Sequence, residues 1–118
     1  MSENRLLDYL EHIRQAASDA CGFVAGLDKR SFLADRRTQQ AVIMSIVIIG
    51  EAAACILDRY PDFTNAHPEI PWRSMRGMRN RVAHGYFDID LETVWETVRT
   101  ALPDLLRQIE AMPAYLSR

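Results

Sequence analysis

Apolar residues recur along the N-terminal part of the chain at alternating steps of four and three. This spacing puts them in one stripe along a single face of a helix. Ser2 is placed to cap the start of that helix, and Gly22 and Gly26 weaken its end. The pattern therefore predicts an amphipathic first helix whose stripe consists of Leu6, Leu10, Ile13, Ala17, Ala20 and Val24.

The middle of the chain contains its most apolar segment. A polar link at 28–31 leads to a second predicted helix over 32–60, polar in its first half and almost wholly apolar in its second. Within 41–57 the only clearly polar residues are Ser45 and Glu51. This stretch is short for a membrane span and carries a carboxylate past its middle, which lipid disfavours. The polar N-terminus is also unlike a signal peptide. We therefore expect a cytoplasmic protein with this helix buried in a fold and not in a membrane.

Prolines and glycines mark the boundaries of the next elements. Tyr60 precedes Pro61 and so avoids helical angles, which ends the second helix. A loop is expected to follow. Pro71 then suits the first turn of a third helix over 72–83, and Gly85 is placed to end that helix.

A last helix is predicted to start after Asp90, which is a good N-cap. Pro103 falls in its interior and is expected to kink it. No segment alternates between apolar and polar positions as a half-buried strand does. The sequence therefore predicts one all-α domain over 1–118, a four- to five-helix bundle. The apolar face of the last helix comprises Leu91, Val94, Val98, Leu102, Leu105, Ile109 and Met112.

The second helix also bears on assembly. A helix that is apolar nearly all round must be covered nearly all round, and a small bundle covers only one or two of its sides. Twofold dimers are the commonest oligomers, so a homodimer is the simplest cover for the rest. The alternative, a helix wholly wrapped by its own chain, stays open.

Charge is distributed unevenly along the chain. The formal net charge is −2, which by itself gives no support to nucleic-acid binding. From 70 to 87, however, there are four arginines, one histidine and no acid. Cys21 and Cys55 lie in apolar stretches without metal or redox spacing, and no other ligand-spaced cluster occurs. The sequence thus predicts neither a metal nor a cofactor.

One arginine of the third helix lies where an apolar residue is expected. On a helical wheel Trp72, Met75, Met78 and Val82 share one arc, and Arg79 falls inside it. An arginine on an apolar face is unfavourable unless it is paired or has a function. Glu51, the lone acid in the apolar half of the second helix, is the candidate partner. A structural ion pair is one interpretation, but desolvation makes buried pairs weak evidence of stability.

His84 ends the same predicted helix and can face a cleft, because Gly85 follows it. A histidine there is commonly just a favourable partner of the helix dipole. Yet imidazole titrates near neutrality, and a base, an acid and positive charge suffice to cleave RNA through its own 2′-hydroxyl. One histidine is short of two proton-transfer roles, and a dimer would supply a second. Arg73 and Arg76 are then candidates for binding the RNA backbone, and Asn80 is a polar neighbour of Arg79.

These residues resemble a known family. The octapeptide RNRVAHGY, from Arg79 to Tyr86, resembles the R-x4-H-x-Y signature of toxins in the HEPN superfamily, in particular the HepT-like family. The resemblance covers nearly the whole chain. Further blocks similar to the family pattern, in the same order, are Ile49-Gly50-Glu51-Ala52, Pro68-Glu69-Ile70-Pro71-Trp72, and Val94-Trp95 leading to Leu102-Pro103.

The resemblance implies a helical bundle that dimerises and places the motif arginine and histidine in a cleft at the dimer interface. It also implies a metal-independent endoribonuclease, the toxin half of a toxin–antitoxin pair. The antitoxin partner is a minimal (MNT-type) nucleotidyltransferase that transfers AMP to the motif tyrosine. By this resemblance Arg79 and His84 are catalytic, Asn80 assists them, Tyr86 is modified, and Glu51 belongs to the interface and orients Arg79.

Two other functions stay open from the residues alone. In one, a non-catalytic HEPN module uses the same arginine and histidine to bind a nucleotide or a nucleotidyltransferase partner. In the other, a helical adaptor uses Arg79 and Glu51 as a core ion pair. In the adaptor, replacing Arg79 would leave a buried carboxylate without a partner and lower the free energy of unfolding strongly. In an enzyme, the same replacement would mainly abolish activity.

Overall fold

The protein is an all-helical bundle, as predicted. The structure, a computed structural model, describes residues 5–113 except for the side chain of Tyr86. Within that range there is no strand, and four long helical segments are joined by two short helices. The helices are α1 (Leu6–Phe23), α2 (Lys29–Leu33), α3 (Arg36–Arg59), α4 (Pro61–Ala66), α5 (Trp72–His84), α6 (Leu91–Glu96) and α7 (Leu102–Glu110).

Helix α3 is the centre of the bundle. Both α1 and α5 pack along it, and α7 packs on α1 from another side. The predicted stripe of α1 is buried apart from Leu6, which is only partly buried at the edge of the core. The side chains that are fully buried are mostly branched aliphatics, as close packing of helices favours. The largest of them are Phe32, Leu10, Ile13, Ile49, Ile56, Ile109, Val42, Val94 and Val98.

The predicted helix over 32–60 is in fact two helices. Asp28 caps α2, accepting a hydrogen bond from the Ser31 backbone N–H at 2.8 Å. Asp35 then interrupts the helix with extended backbone angles and caps α3, accepting from the Thr38 backbone N–H and hydroxyl at 3.1 and 2.6 Å. These hydrogen bonds stabilise the ionised carboxylates and lower the pKa of both aspartates. The predicted start at residue 32 was wrong because Asp28 and Asp35 each cap a separate helix, and Asp35 lies in the polar half, where apolar spacing gives no signal.

The region after α3 is more helical than predicted. The helix ends at Arg59, just before Tyr60-Pro61 as expected, but Pro61 opens the short helix α4 where a loop was predicted. Proline suits that position, since its fixed φ matches a helix and its missing N–H would have no partner there. Helix α5 begins at Trp72, as predicted, and includes His84.

The last helical segment is interrupted near its proline. Asp90 is the predicted N-cap, accepting from the backbone N–H groups of Glu92 and Thr93 and from the Thr93 hydroxyl. A π-helical turn, Thr97–Ala101, separates α6 from α7. Pro103 cannot donate to the carbonyl one turn earlier, and a wider turn is a common way to accommodate that loss. The predicted Ser2 cap of α1 lies outside the described residues.

Part of α3 faces outward. By length and composition this helix could span a membrane, with a mean hydropathy of 2.1 in its most apolar window, but half of that window is buried inside the fold. Met44 and Ile48 remain 58% and 41% exposed. The alternative of a central helix wholly wrapped by its own chain is therefore wrong for this chain alone.

Candidate active site

Helix α5 carries an arginine on its buried face, as predicted. Trp72, Met75 and Val82 are buried against the core, and Met78 is partly buried beside them. Arg79 shares this face, and only 20% of its side chain is exposed. The guanidinium therefore lies at the edge of the α3–α5 contact and not on the open surface.

Arg79 is paired with the acid that the sequence singled out. Its Nη1 lies 3.0 Å from Oε2 of Glu51 on α3. The two partners differ in their environment, because the Glu51 side chain is 61% exposed. The Nε of Arg79 is buried and has no hydrogen-bond partner within the described range. The pair therefore joins a largely buried cation to a carboxylate that faces water.

Gly50 is what lets Arg79 lie there. A Cβ added to Gly50 would overlap Cβ of Arg79 and lie 2.8 Å from the Met75 carbonyl oxygen. The backbone of α3 and the stem of Arg79 are thus in direct contact, which only glycine permits. Gly50 was not among the predicted site residues. A glycine inside an apolar helix was the available signal, since it commonly marks a close approach.

His84 is one of the residues that line a groove at the end of α5. It is exposed at the end of α5, and the groove has a volume of about 570 Å³. The segment 70–87 has no acid, but Asp88 and Asp90, which follow it in the chain, line the same groove as His84. The surroundings of His84 are therefore not acid-free. The groove is lined by Met78, Arg81, Val82, His84, Gly85, Asp88, Ile89, Asp90, Thr93 and Val94.

Arg79 does not line this groove. His84 follows Arg79 by five positions, which corresponds to about 140° around the helix and about 7.5 Å along it. Asn80 and Arg76 fall on the helix face between them; Asn80 is exposed and Arg76 partly buried. A single chain therefore shows the motif arginine and histidine on different faces of α5, with the polar residues of the helix in between.

The remaining basic residues are spread along α5. Arg73 is exposed near the start of the helix, about 16 Å along the axis from His84. Arg81, which was not among the predicted site residues, lines the His84 groove, and its Nη2 donates to Met78 Sδ at 3.5 Å. Tyr86 lies in the 3₁₀ turn Tyr86–Asp88 directly after this region, and its side chain is outside the described part of the structure.

Among the described residues, the side chains that could bind a metal ion and the cysteine thiols do not form a cluster at this site. No group of three or more His, Cys, Asp or Glu side chains between residues 5 and 113 could hold a metal ion. Cys21 and Cys55 are free thiols, both partly buried, and burial raises the pKa of Cys21. The chemistry available near α5 is therefore that of arginine, histidine and carboxylate side chains.

Comparison of the sequence with known proteins places the chain in a class of HEPN proteins named as ribonucleases. The family described as "Ribonuclease HepT-like" matches residues 7–112. "Probable ribonuclease HepT" of Thermococcus cleftensis is 41% identical over 105 residues, covering 89% of this chain and 93% of that protein. The chain belongs to the HepT-like ribonuclease family of the HEPN superfamily.

More distant relatives carry similar names. "Putative RNase MJ0127" of Methanocaldococcus jannaschii is 35% identical over 105 residues, covering 89% of this chain and 81% of the relative. "Putative RNase TTE0752" of Caldanaerobacter subterraneus is 32% identical over 102 residues, covering 86% and 88%. No solved structure matches the chain. The resemblance seen in the motif blocks is thus confirmed at the level of the family.

Replacing Gly50 by alanine is expected to destabilise the protein and displace Arg79. The new methyl group overlaps both the Arg79 stem and the α5 backbone, and overpacking of this kind costs about 1–3 kcal/mol. Thermal or urea unfolding measures the loss. Gly77→Ala on α5 is the matched control, because nothing lies within 4 Å of its added Cβ and alanine favours the helix. Equal stability of the two variants would contradict the close contact.

Proposed function

We propose that the protein is a metal-independent endoribonuclease that acts in the cytoplasm as the toxin of a HEPN/MNT toxin–antitoxin pair. The observation that carries this proposal is the Arg79–Glu51 pair, because it holds a cation at a water-accessible edge of the helix that ends in His84. Relatives named as ribonucleases, the first of them covered over 93% of its length, support RNA as the substrate.

In this mechanism His84 takes the proton of a ribose 2′-hydroxyl. The 2′-oxygen then attacks the adjacent phosphorus, and the bond from phosphorus to the 5′-oxygen breaks. A second, protonated histidine returns a proton to the departing oxygen. Arg79 neutralises the negative charge that develops on the phosphoryl oxygens, and Asn80 offers a hydrogen bond on the face between them. The products are a 2′,3′-cyclic phosphate and a free 5′-hydroxyl.

The exposure of Glu51 favours this function over a structural adaptor. The adaptor interpretation requires that loss of Arg79 strands a buried carboxylate, but the Glu51 side chain is 61% exposed. A carboxylate in water needs no partner, and ion pairs at such sites contribute about 1 kcal/mol or less. A phosphate can therefore displace Glu51 from Arg79 without burying an unpaired charge.

The separation of Arg79 and His84 within one chain supports a dimeric site. They lie on different faces of α5, so a second copy is a direct way to place one chain's arginine near the other chain's histidine. Met44 and Ile48 form an exposed apolar strip on α3, and Glu51 follows Ile48 by one helical turn. A dimer through this strip would cover apolar surface and place the Arg79–Glu51 pair at its border.

Charges placed in this strip are expected to give monomers without RNA cleavage. Met44→Glu together with Ile48→Glu puts two carboxylates at the proposed interface, where they have no partners. Sedimentation velocity measures the oligomeric state, and a cleavage assay is run beside it. Phe23→Glu, which alters a side chain 45% exposed at the end of α1, is the control and should remain dimeric and active. A double variant that is still an active dimer would rule out this face.

Purified, unmodified protein is expected to cleave RNA in EDTA. His84→Ala and Arg79→Ala should each lose activity by at least about a hundredfold, since each removes a group that acts in the transition state. The cleaved 5′ fragments should end in 2′,3′-cyclic phosphate, as read by mass spectrometry. Urea unfolding of Arg79→Ala should show a loss smaller than the about 3–5 kcal/mol expected when one partner of a fully buried ion pair is removed, because Glu51 faces water.

Other outcomes of that assay point elsewhere. Activity that disappears in EDTA would contradict metal independence. A wild-type protein that cleaves nothing, with Tyr86 shown to be unmodified, would favour the non-catalytic module that binds a nucleotide or a nucleotidyltransferase. An Arg79→Ala variant that unfolds or dissociates, with no activity to lose, would favour the structural adaptor.

Modification of Tyr86 by an antitoxin is expected to block the site. An adenylyl group two residues from His84 would put bulk and negative charge where the RNA phosphate must bind. Incubation with the partner nucleotidyltransferase and ATP should add AMP to Tyr86, seen by mass spectrometry, and abolish cleavage. Tyr86→Phe should cleave RNA and resist the partner. Silencing of Tyr86→Phe to the same extent would exclude this tyrosine as the target.

A further inference from the structure

The groove beside His84 combines apolar walls with both basic and acidic groups. Val82 and Val94 are buried side chains that contribute apolar surface to it, together with the partly buried Met78 and Ile89. Its volume of about 570 Å³ lies within the range of small-ligand pockets, about 300–1,000 Å³. Apolar walls with a few polar groups at the rim suit a flat, partly polar ring.

Two carboxylates border the groove, and they are not equivalent. Asp90 is occupied as the N-cap of α6, where it accepts three hydrogen bonds from Glu92 and Thr93. Asp88 is exposed, and its carboxylate accepts no hydrogen bond from the described side chains. Carboxylates repel phosphates but accept hydrogen bonds from the amino groups of bases. The lining also includes the basic residues Arg81 and His84, so the groove offers a nucleobase apolar walls and a carboxylate acceptor close to groups that can face the adjoining phosphate.

Phe87 does not line the groove, but it is an exposed aromatic residue directly before Asp88 in the chain. It precedes Asp88 in the 3₁₀ turn Tyr86–Asp88, and its side chain is 97% exposed. The turn is held by a hydrogen bond from the Asp88 N–H to the Gly85 carbonyl at 2.9 Å. Single-stranded RNA is commonly bound by stacking its bases on exposed aromatic side chains.

We propose that this groove binds the nucleobase adjacent to the cleaved phosphate, and that Asp88 selects bases carrying an exocyclic amino group. The proposal rests on the proposed ribonuclease function. Asp88 acts on specificity, not on the chemistry of the phosphate, so its replacement changes which base is accepted. Cytosine and uracil form the sharpest comparison, because the amino group of cytosine is replaced by an oxygen in uracil.

Cleavage of DNA oligonucleotides that contain a single ribonucleotide tests the selection. Only the ribonucleotide offers a 2′-hydroxyl, so cytosine and uracil are compared there and at the next nucleotide. The wild type should favour cytosine at one of the two positions by about tenfold in kcat/KM. Asp88→Asn should reduce the preference to about twofold or less, since an amide can face either base. Glu96→Gln, on α6 but outside the groove, is the matched control and should retain the wild-type preference.

A binding measurement separates this proposal from the proposed function. Oligonucleotides with 2′-O-methyl groups cannot be cleaved, and fluorescence anisotropy gives their affinity for the full protein. Affinity that favours cytosine and depends on Asp88 supports the groove even if no RNA is ever cleaved. Cleavage with no preference at either position, or a preference that Asp88→Asn leaves unchanged, overturns the proposal. So does an Asp88→Asn variant that changes the oligomeric state but not the choice of base.

Discussion

The contact between α3 and α5 at Gly50 is the constraint on which the rest of the site depends. Because Gly50 has no side chain, the stem of Arg79 lies on the α3 backbone and its guanidinium reaches Glu51 at 3.0 Å. Met75 and Val82, on the same helix as Arg79, lie in the core. Packing and chemistry therefore share one helix interface, and a change in the spacing of the two helices moves the arginine as well as the core.

In the Arg79–Glu51 pair the arginine is mostly buried and the glutamate is mostly exposed. This arrangement holds the guanidinium in place and leaves its partner free to be exchanged. Full burial of both charges would make the pair part of the scaffold and oppose exchange of its partner. Full exposure would leave the arginine mobile and only weakly held. Arg79 is fixed along its stem by Gly50, while the carboxylate that it binds can turn into water.

The sequence predicted those elements whose signals are local. Trp72 after a proline, Asp90 as a cap and the stripe of α1 each depend on a few neighbouring residues, and each lies where it was expected. Helices α2 and α4 were missed, since five- and six-residue helices depend on caps and not on periodicity. The Arg79–Glu51 pair could be inferred because one lone acid was available. The aspartates that share the groove with His84 were not anticipated, because the acid-free segment that drew attention ends at residue 87, one position before Asp88.

The internal partner of Arg79 also has a consequence for ionic strength. A basic side chain that is open to solvent attracts mobile anions, and an RNA phosphate also frees condensed cations when it binds such a side chain. At Arg79 the neutralising charge is Glu51, which is covalently part of the protein and stays with it when it is displaced. A phosphate that binds there takes the place of the Glu51 carboxylate, and no mobile anion is released from Arg79. In the proposed RNA complex we therefore expect binding at Arg79 to be less sensitive to added salt than binding at the exposed Arg73, so that the inner contact persists when the outer ones weaken.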